Sequence, residues 1–309
     1  MEFRLDEGQV ELQQTVARFC ADRFPLDAVL EREGAPTDRA VWSGLAELGV
    51  FGVVDFGVLE AALVFEQLGS HLAPGPLLWT VLAAGLVDGA DSGEVVVGGV
   101  EATDVDRGVA LVEHAADLDV VLVLHDDRVV AHRRFEVGPP LDPFDPLTPV
   151  AEVSGLDGGD EVGDAASVRT LGTVLAAAQL AGIAARALDV ARAYALERQQ
   201  FGVPIGSFQA IKHLLADMYV RRGLAQSAAY AAAAVEHDRP RAAAAAKLLA
   251  GEAAIANAGT AIQVLGGMGF TWDMLPNHLL KRAWLLEQTF GVADDHALAL
   301  GTTLIGAHG

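Results

Sequence analysis

Apolar residues recur at helical spacing over residues 1 to about 85 and again from about 165 to the end. In the first stretch the pattern predicts a helix ending near Cys20, a second over Asp38 to Val50 and a third over Leu59 to Leu72. "APGPLL" (Ala73 to Leu78) then breaks the pattern, because proline cannot donate a backbone hydrogen bond and restricts the residue before it. Between about 86 and 163 the period changes. Short runs such as "EVVVGGV", "DVVLVLH" and "RVVAH" alternate with turn residues and read as strands, and the Pro-rich "VGPPLDPFDPLTP" (Val137 to Pro149) reads as an extended connection at a sheet edge. Long Ala-rich helices are expected over 165–198, 207–236, 240–265 and, as a pair, 277–306. The expected architecture is mainly α with a small β domain: an N-terminal helical domain (1–85), a shortened middle β domain (86–163) and a C-terminal four-helix bundle (164–309).

Composition narrows the functional classes. Hydrophobic residues are 52% of the 309, which predicts large buried faces or a subunit interface and favours an oligomer. With 42 acidic against 21 basic residues the net charge is -21, so general attraction to nucleic acid or anionic lipid is not expected, and an anionic ligand must be held by local arginines. The charge is concentrated. Leu86 to Asp164 holds 19 Asp and Glu, 4 Arg and no Lys. Cys20 is the single cysteine, at a position suited to a small buried residue, which fits a reducing cytoplasm. The N-terminal stretch reads as an amphipathic helix with Val10, Leu12, Val16 and Phe19 mostly on one side, not as a signal peptide, and runs such as "AAYAAAAV" fall short of the ~20 residues that span a bilayer. No membrane partner is expected.

Candidate chemistry lies in "ERQQFGVPIGSFQAIKHLLADM" (Glu197 to Met218). One helix ends near Arg198, and "FGVPIGSF" turns the chain through Gly202, Pro204 and Gly206. Ser207 is a candidate cap for the next helix, whose N-terminus is a candidate anion site. Arg198 is placed to pair with a phosphate through a bidentate contact, although spacing alone also fits a plain helix-loop-helix connection with a solvated Arg and a core Phe. The residues themselves go further: the stretch resembles the signature of the acyl-CoA dehydrogenase family. "AIQVLGGMGFTWD" (Ala261 to Asp273) is similar to that family's Gln-x-x-Gly-Gly-x-Gly-Phe segment, and "LAELGVFG" with "LEAALVFEQLGSHLAPGPLL" resembles its first domain.

This resemblance implies a flavoprotein fold in which FAD lies across a subunit interface. By it, Arg198 and Phe201 reach the cofactor of a neighbouring subunit, Gln209 lies near its adenosine portion, and Gln263, Gly266 and Gly267 approach the pyrophosphate and adenosine. It also implies α,β-dehydrogenation of an acyl-CoA, which needs a carboxylate beside the α carbon, with an electron-transfer flavoprotein as acceptor. The family's downstream Glu-Gly-Thr falls on Phe290, Gly291 and Val292, so the carboxylate is missing, and the alternative base region, Leu171 to Gln179, has no acidic residue. Asp273, Glu287, Asp294 and Asp295 remain nearby, none of them nominated as the base. The strand region also shows no credible version of the family's flavin-facing segments.

These departures resemble the shorter chain of actinobacterial heteromeric dehydrogenases acting on steroid side chains, in which a longer chain supplies the base in an alpha2beta2 heterotetramer. The alternatives are a homo-oligomeric dehydrogenase with a relocated base such as Asp273, or a flavin-free structural or regulatory homologue.

Overall fold

The computed structural model describes residues 4–108, 110–272 and 274–306. Helices come first: α1 (Glu7–Arg23), α2 (Arg39–Glu47), α3 (Val58–Ser70) and the short α4 (Leu77–Leu82). Asp6 and Gln9 start α1 through a reciprocal capping box, with bonds of 2.8 and 3.1 Å, and the Asp38 carboxylate accepts from the Ala40 amide at 2.8 Å to start α2. The buried face of α1 is Val16 and Cys20, whereas Val10 is exposed, so the apolar side is narrower than the sequence predicts. The Pro-rich break is also shorter than expected, because Pro76 serves as the N-cap of α4.

The middle stretch forms β1 (Val97–Glu101), a short α5 (Ala102–Asp106), β2 (Leu111–Glu113), β3 (Val120–Leu124), β4 (Arg128–His132), β5 (Glu136–Leu141), β6 (Val150–Ser154) and β7 (Asp160–Asp164). Four strands make one sheet in the order β1-β3-β4-β7, with β1 parallel to β3 and the other pairs antiparallel. An antiparallel sheet, β2-β6-β5, carries the others. Val100, Val121 and Val123 pack with Val112, Ala151 and Val153 in one apolar cluster. β3 is buried at every position, the reading expected of a continuous Val/Leu run. The Pro-rich stretch contributes β5, an edge strand that Pro139 and Pro140 keep from further pairing.

The chain then returns to helix in α6 (Ala165–Glu197). A two-strand hairpin of β8 (Gln199–Gln200) and β9 (Val203–Pro204) follows, then α7 (Gln209–Ala234), α8 (Arg239–Leu265), α9 (Leu275–Gln288) and α10 (Ala293–Gly306). Helices, then β-sheets, then helices follow one another in the order that the sequence resemblance implies. By its contacts the chain divides into two compact units: 1–30 with 62–73 and 173–309, and 31–61 with 74–172.

Within the first unit the small residues let backbones meet. A Cβ at Gly69 would overlap the Gln179 carbonyl, and one at Gly182 would overlap the Glu66 carbonyl, so α3 and α6 touch main chain to main chain. Asn257, fully buried in α8, donates to Ala184 O at 3.1 Å and Met218 O at 3.0 Å, tying α6, α7 and α8 together. Among the described residues, α6 and the stretch Arg239–Phe270 are long and apolar enough to cross a bilayer, which the count of uninterrupted apolar residues does not anticipate. The apolar window of α6 is 78% buried inside the protein, which is the burial of a core helix.

Candidate functional site

The hairpin joining α6 to α7 carries the first motif. Gln200 pairs with Val203, leaving Phe201 and Gly202 as the two central residues, both left-handed at φ 53° and 80°. That is the geometry a two-residue hairpin demands. Gly202 adopts it without strain, while Phe201 pays a steric cost to present a ring that is 93% exposed. Ile205 N donates to Arg198 O at 2.8 Å, closing the base of the hairpin. The Arg198 side chain is exposed and has no ion-pair or hydrogen-bond partner among the described residues.

One local expectation changes. Ser207 does not cap α7: its hydroxyl donates to Pro204 O at 2.7 Å, and the N-cap position falls to Phe208, which supplies no side-chain acceptor. The first amides of α7, from Gln209 onward, are therefore left for solvent or a ligand.

The second motif ends α8. Gly266, at φ 65°, terminates the helix, its amide turning back to Gln263 O and Ile262 O, and a 3-10 turn, Gly266–Phe270, follows. The three glycines have different reasons to be glycine. A Cβ at Gly269 would overlap the Ile262 carbonyl, and Gly266 needs the left-handed backbone. Gly267 has neither constraint, with open space where its Cβ would stand. Gly266, Gly267 and Gln263 are all exposed, forming a bare stretch of main chain that a ligand can approach closely.

The structure brings the two motifs together. The Tyr194 hydroxyl, one turn before Arg198, donates to Met268 Sδ at 3.8 Å, and Asn277 at the start of α9 donates to Gly269 O and Thr271 O, both at 2.8 Å. An unpaired guanidinium, an exposed aromatic ring, uncapped amides and a side-chain-free main chain thus share one end of the bundle. These donors suit the phosphate-bearing part of a dinucleotide, so the residues present fit FAD on this side. Tyr194 and Asn277 were not singled out from the sequence, since a Tyr in a helix and an Asn after a Pro carry no motif by themselves.

The carboxylate positions are different. Phe290 is 8% exposed, with φ 58°, followed by Gly291 at φ 96°. The turn they form is latched by Lys247 of α8, 2% exposed, whose ammonium donates to Glu287 O (3.0 Å), Thr289 O (2.8 Å) and Gly291 O (3.0 Å). Burial pushes the Lys247 amine down to about 8, with the Glu287 carboxylate opposing. Glu287 itself accepts from Ala293 N at 2.7 Å, and Asp295 accepts from Val292 N at 3.4 Å, so both are occupied in starting α10. Asp294 is exposed in its first turn, and Asp273 lies outside the described residues. Leu171 to Gln179 is mostly buried, with Thr173 its buried polar side chain.

Comparison with known proteins gives the family and the fold. Residues 170–300 match the family described as acyl-CoA dehydrogenase, C-terminal domain. The acyl-CoA dehydrogenase IpdE2 of Mycolicibacterium smegmatis is 31% identical over 93% of this chain and 96% of its own length. FadE34 of Mycobacterium tuberculosis is 37% identical over 82% of this chain, but the match spans only 40% of that protein's length. Among solved structures, the ChsE4-ChsE5 complex of M. tuberculosis superposes with a TM-score of 0.83 at 23% identity, covering 99% of both chains. The steroid dehydrogenase Tcur3481-Tcur3483 (G363A variant) gives 0.84 at 21% identity, covering 98% of this chain and 99% of that one. The chain belongs to the acyl-CoA dehydrogenase family, whose members are flavoprotein oxidoreductases acting on CH–CH bonds.

Proposed function

We propose that this chain is the base-lacking subunit of an FAD-dependent acyl-CoA dehydrogenase, joined in an alpha2beta2 complex to a longer relative that supplies the carboxylate and most of the flavin site. The observation that carries this reading is the division of the site: the Arg198–Phe201 and Gly266–Gly267 elements are built and exposed, while the position that the motif register gives to the base carries a buried phenyl ring, Phe290. A scaffold without a cofactor has no use for an unpaired arginine beside bare main chain. The two-chain names of similar structures, one of them a steroid dehydrogenase, support a heteromer and a bulky, steroid-derived acyl-CoA.

In such a complex FAD, when bound, supplies the hydride acceptor. This chain's part is to hold and orient: Arg198 presents its fork to a phosphate, the Gly266–Gly267 main chain allows close approach, Gln209 and Gln263 offer amide donors, and Phe201 shields an apolar face from water. Abstraction of the α proton falls to the partner, since neither Phe290 nor the 171–179 stretch offers a carboxylate.

The test is flavin content. The chain should purify without flavin absorbance alone and with stoichiometric FAD when co-expressed with a longer family member from the same gene cluster. Arg198→Ala in that complex should weaken FAD retention roughly tenfold or more, as expected for one charge-assisted contact. Full flavin occupancy and turnover by the isolated chain would overturn the assignment.

A further inference from the structure

The Gly266–Phe270 turn has little side-chain packing to hold it. Gly269 is its buried residue, while Met268 is 49% and Phe270 81% exposed, and Gly266 and Gly267 have no side chain to anchor. Fixing a glycine-rich main chain costs more conformational entropy than fixing any other, so a ligand that had to order this turn would weaken its own binding.

Asn277 orders it beforehand. It stands in the first turn of α9, whose buried face of His278, Leu279, Arg282 and Leu286 fixes the helix within the bundle. From there its Nδ2 donates to Gly269 O and to Thr271 O, each at 2.8 Å. A side-chain amide nitrogen has two hydrogens, and both are used, one on either side of Phe270. Bonds within the turn and just after it are local: Thr271 N and Oγ1 donate to Met268 O at 3.0 and 2.8 Å, and Met274 N donates to Thr271 O at 3.2 Å. Asn277 ties that local structure to a packed helix. The Tyr194 hydroxyl, 3.8 Å from Met268 Sδ, adds a weaker tie from α6, since a thioether is a poor acceptor.

We infer that Asn277 is a positioning residue for the dinucleotide, pre-setting the Gly266–Gly267 main chain for the pyrophosphate, an inference that rests on the reading of that main chain as cofactor-facing. Because both amide hydrogens are spent on main-chain carbonyls, the side chain has no donor left for a phosphate, and its part is orientation through the turn. One bond is half-buried and the other exposed, so the fold loses little when the donor is removed, whereas the cofactor loses a ready-made contact.

FAD dissociation from the flavin-bearing assembly, followed by fluorescence of the released cofactor, tests this in a double-mutant cycle. Asn277→Asp keeps the shape, suits the first turn of a helix and sets a carboxylate against two carbonyls; it should weaken FAD retention about tenfold while the unfolding temperature of the cofactor-free protein moves by no more than about 2 °C. Asn277→Gln keeps the amide on a longer arm, should lose only a few-fold, and carries the test should Asn277→Asp misfold. Gly267→Ala, which adds a methyl group in open space, should cost about tenfold beside Asn277 and only about two- to three-fold beside Asn277→Asp, because the turn is then already displaced. A purely structural role would leave the two penalties additive. Unchanged FAD retention in Asn277→Asp, or full additivity with Gly267→Ala, overturns the inference even where Arg198→Ala weakens retention and so upholds the cofactor reading. If Arg198→Ala and Gly267→Ala both leave retention unchanged, the cofactor reading itself fails and the role of Asn277 falls with it.

Discussion

Lys247 takes a charge into the Ala-rich interior and gives its protons to three carbonyls of the turn that carries Phe290. Lys247→Met leaves those carbonyls buried without donors and should destabilise the protein by about 1–3 kcal/mol at neutral pH, read by chemical denaturation. The same residue sets a pH dependence. Its folded pKa, pushed to about 8, lies below that of the unfolded chain, so the unfolded state binds the extra proton between there and the ordinary lysine range. Its contribution to stability should therefore rise as the pH climbs through that window, and the rise should be absent in Lys247→Met. A wild-type curve no steeper than the variant's would refute the burial-driven shift. The lysine stands out in the sequence as a lone charge within "AAAAAKLLAG", but its acceptors lie some forty residues away and only the folded chain identifies them.

Among the elements, the contact of α3 with α6 depends on two glycines. Gly182→Val would drive a side chain into the Glu66 carbonyl, a backbone atom that cannot rotate aside, and should cost about 2–3 kcal/mol. Gly223, exposed within α7 with open space at its Cβ, makes the contrast: Gly223→Ala should stabilise by about 0.5–1 kcal/mol through helix propensity alone. Thermal unfolding of both variants separates packing glycines from incidental ones, and equal effects would show that the close approach is not what matters. The sequence predicts the helices to within a few residues because periodicity and Asp caps are local. It did not foresee the left-handed Phe201 or the Ser207 hydroxyl turned back to Pro204 O, since both depend on how the hairpin closes.

For the molecule as a whole, the apolar composition is only partly explained by its own core. Tyr219, Val220 and Leu224 on α7 are each more than half exposed, and Val220 and Leu224 stand one turn apart on a single face. Val220→Asp combined with Leu224→Asp should shift the protein to a smaller species in size-exclusion chromatography with light scattering. A wild-type protein already of single-chain mass would remove that expectation. The net charge of -21 makes such association depend on apolar and shape-matched contact, because general electrostatic attraction between like chains is absent.

By itself the sequence determined the order of helical and strand regions, the family and the absence of a carboxylate at 290, because periodicity, motif spacing and residue identity are properties of the linear chain. Tertiary structure alone decided that Tyr194 meets Met268 and that Lys247 reaches the 287–291 turn. Each of these joins residues dozens of positions apart on different helices. The rotation and closeness of those helices follow from packing across the whole bundle.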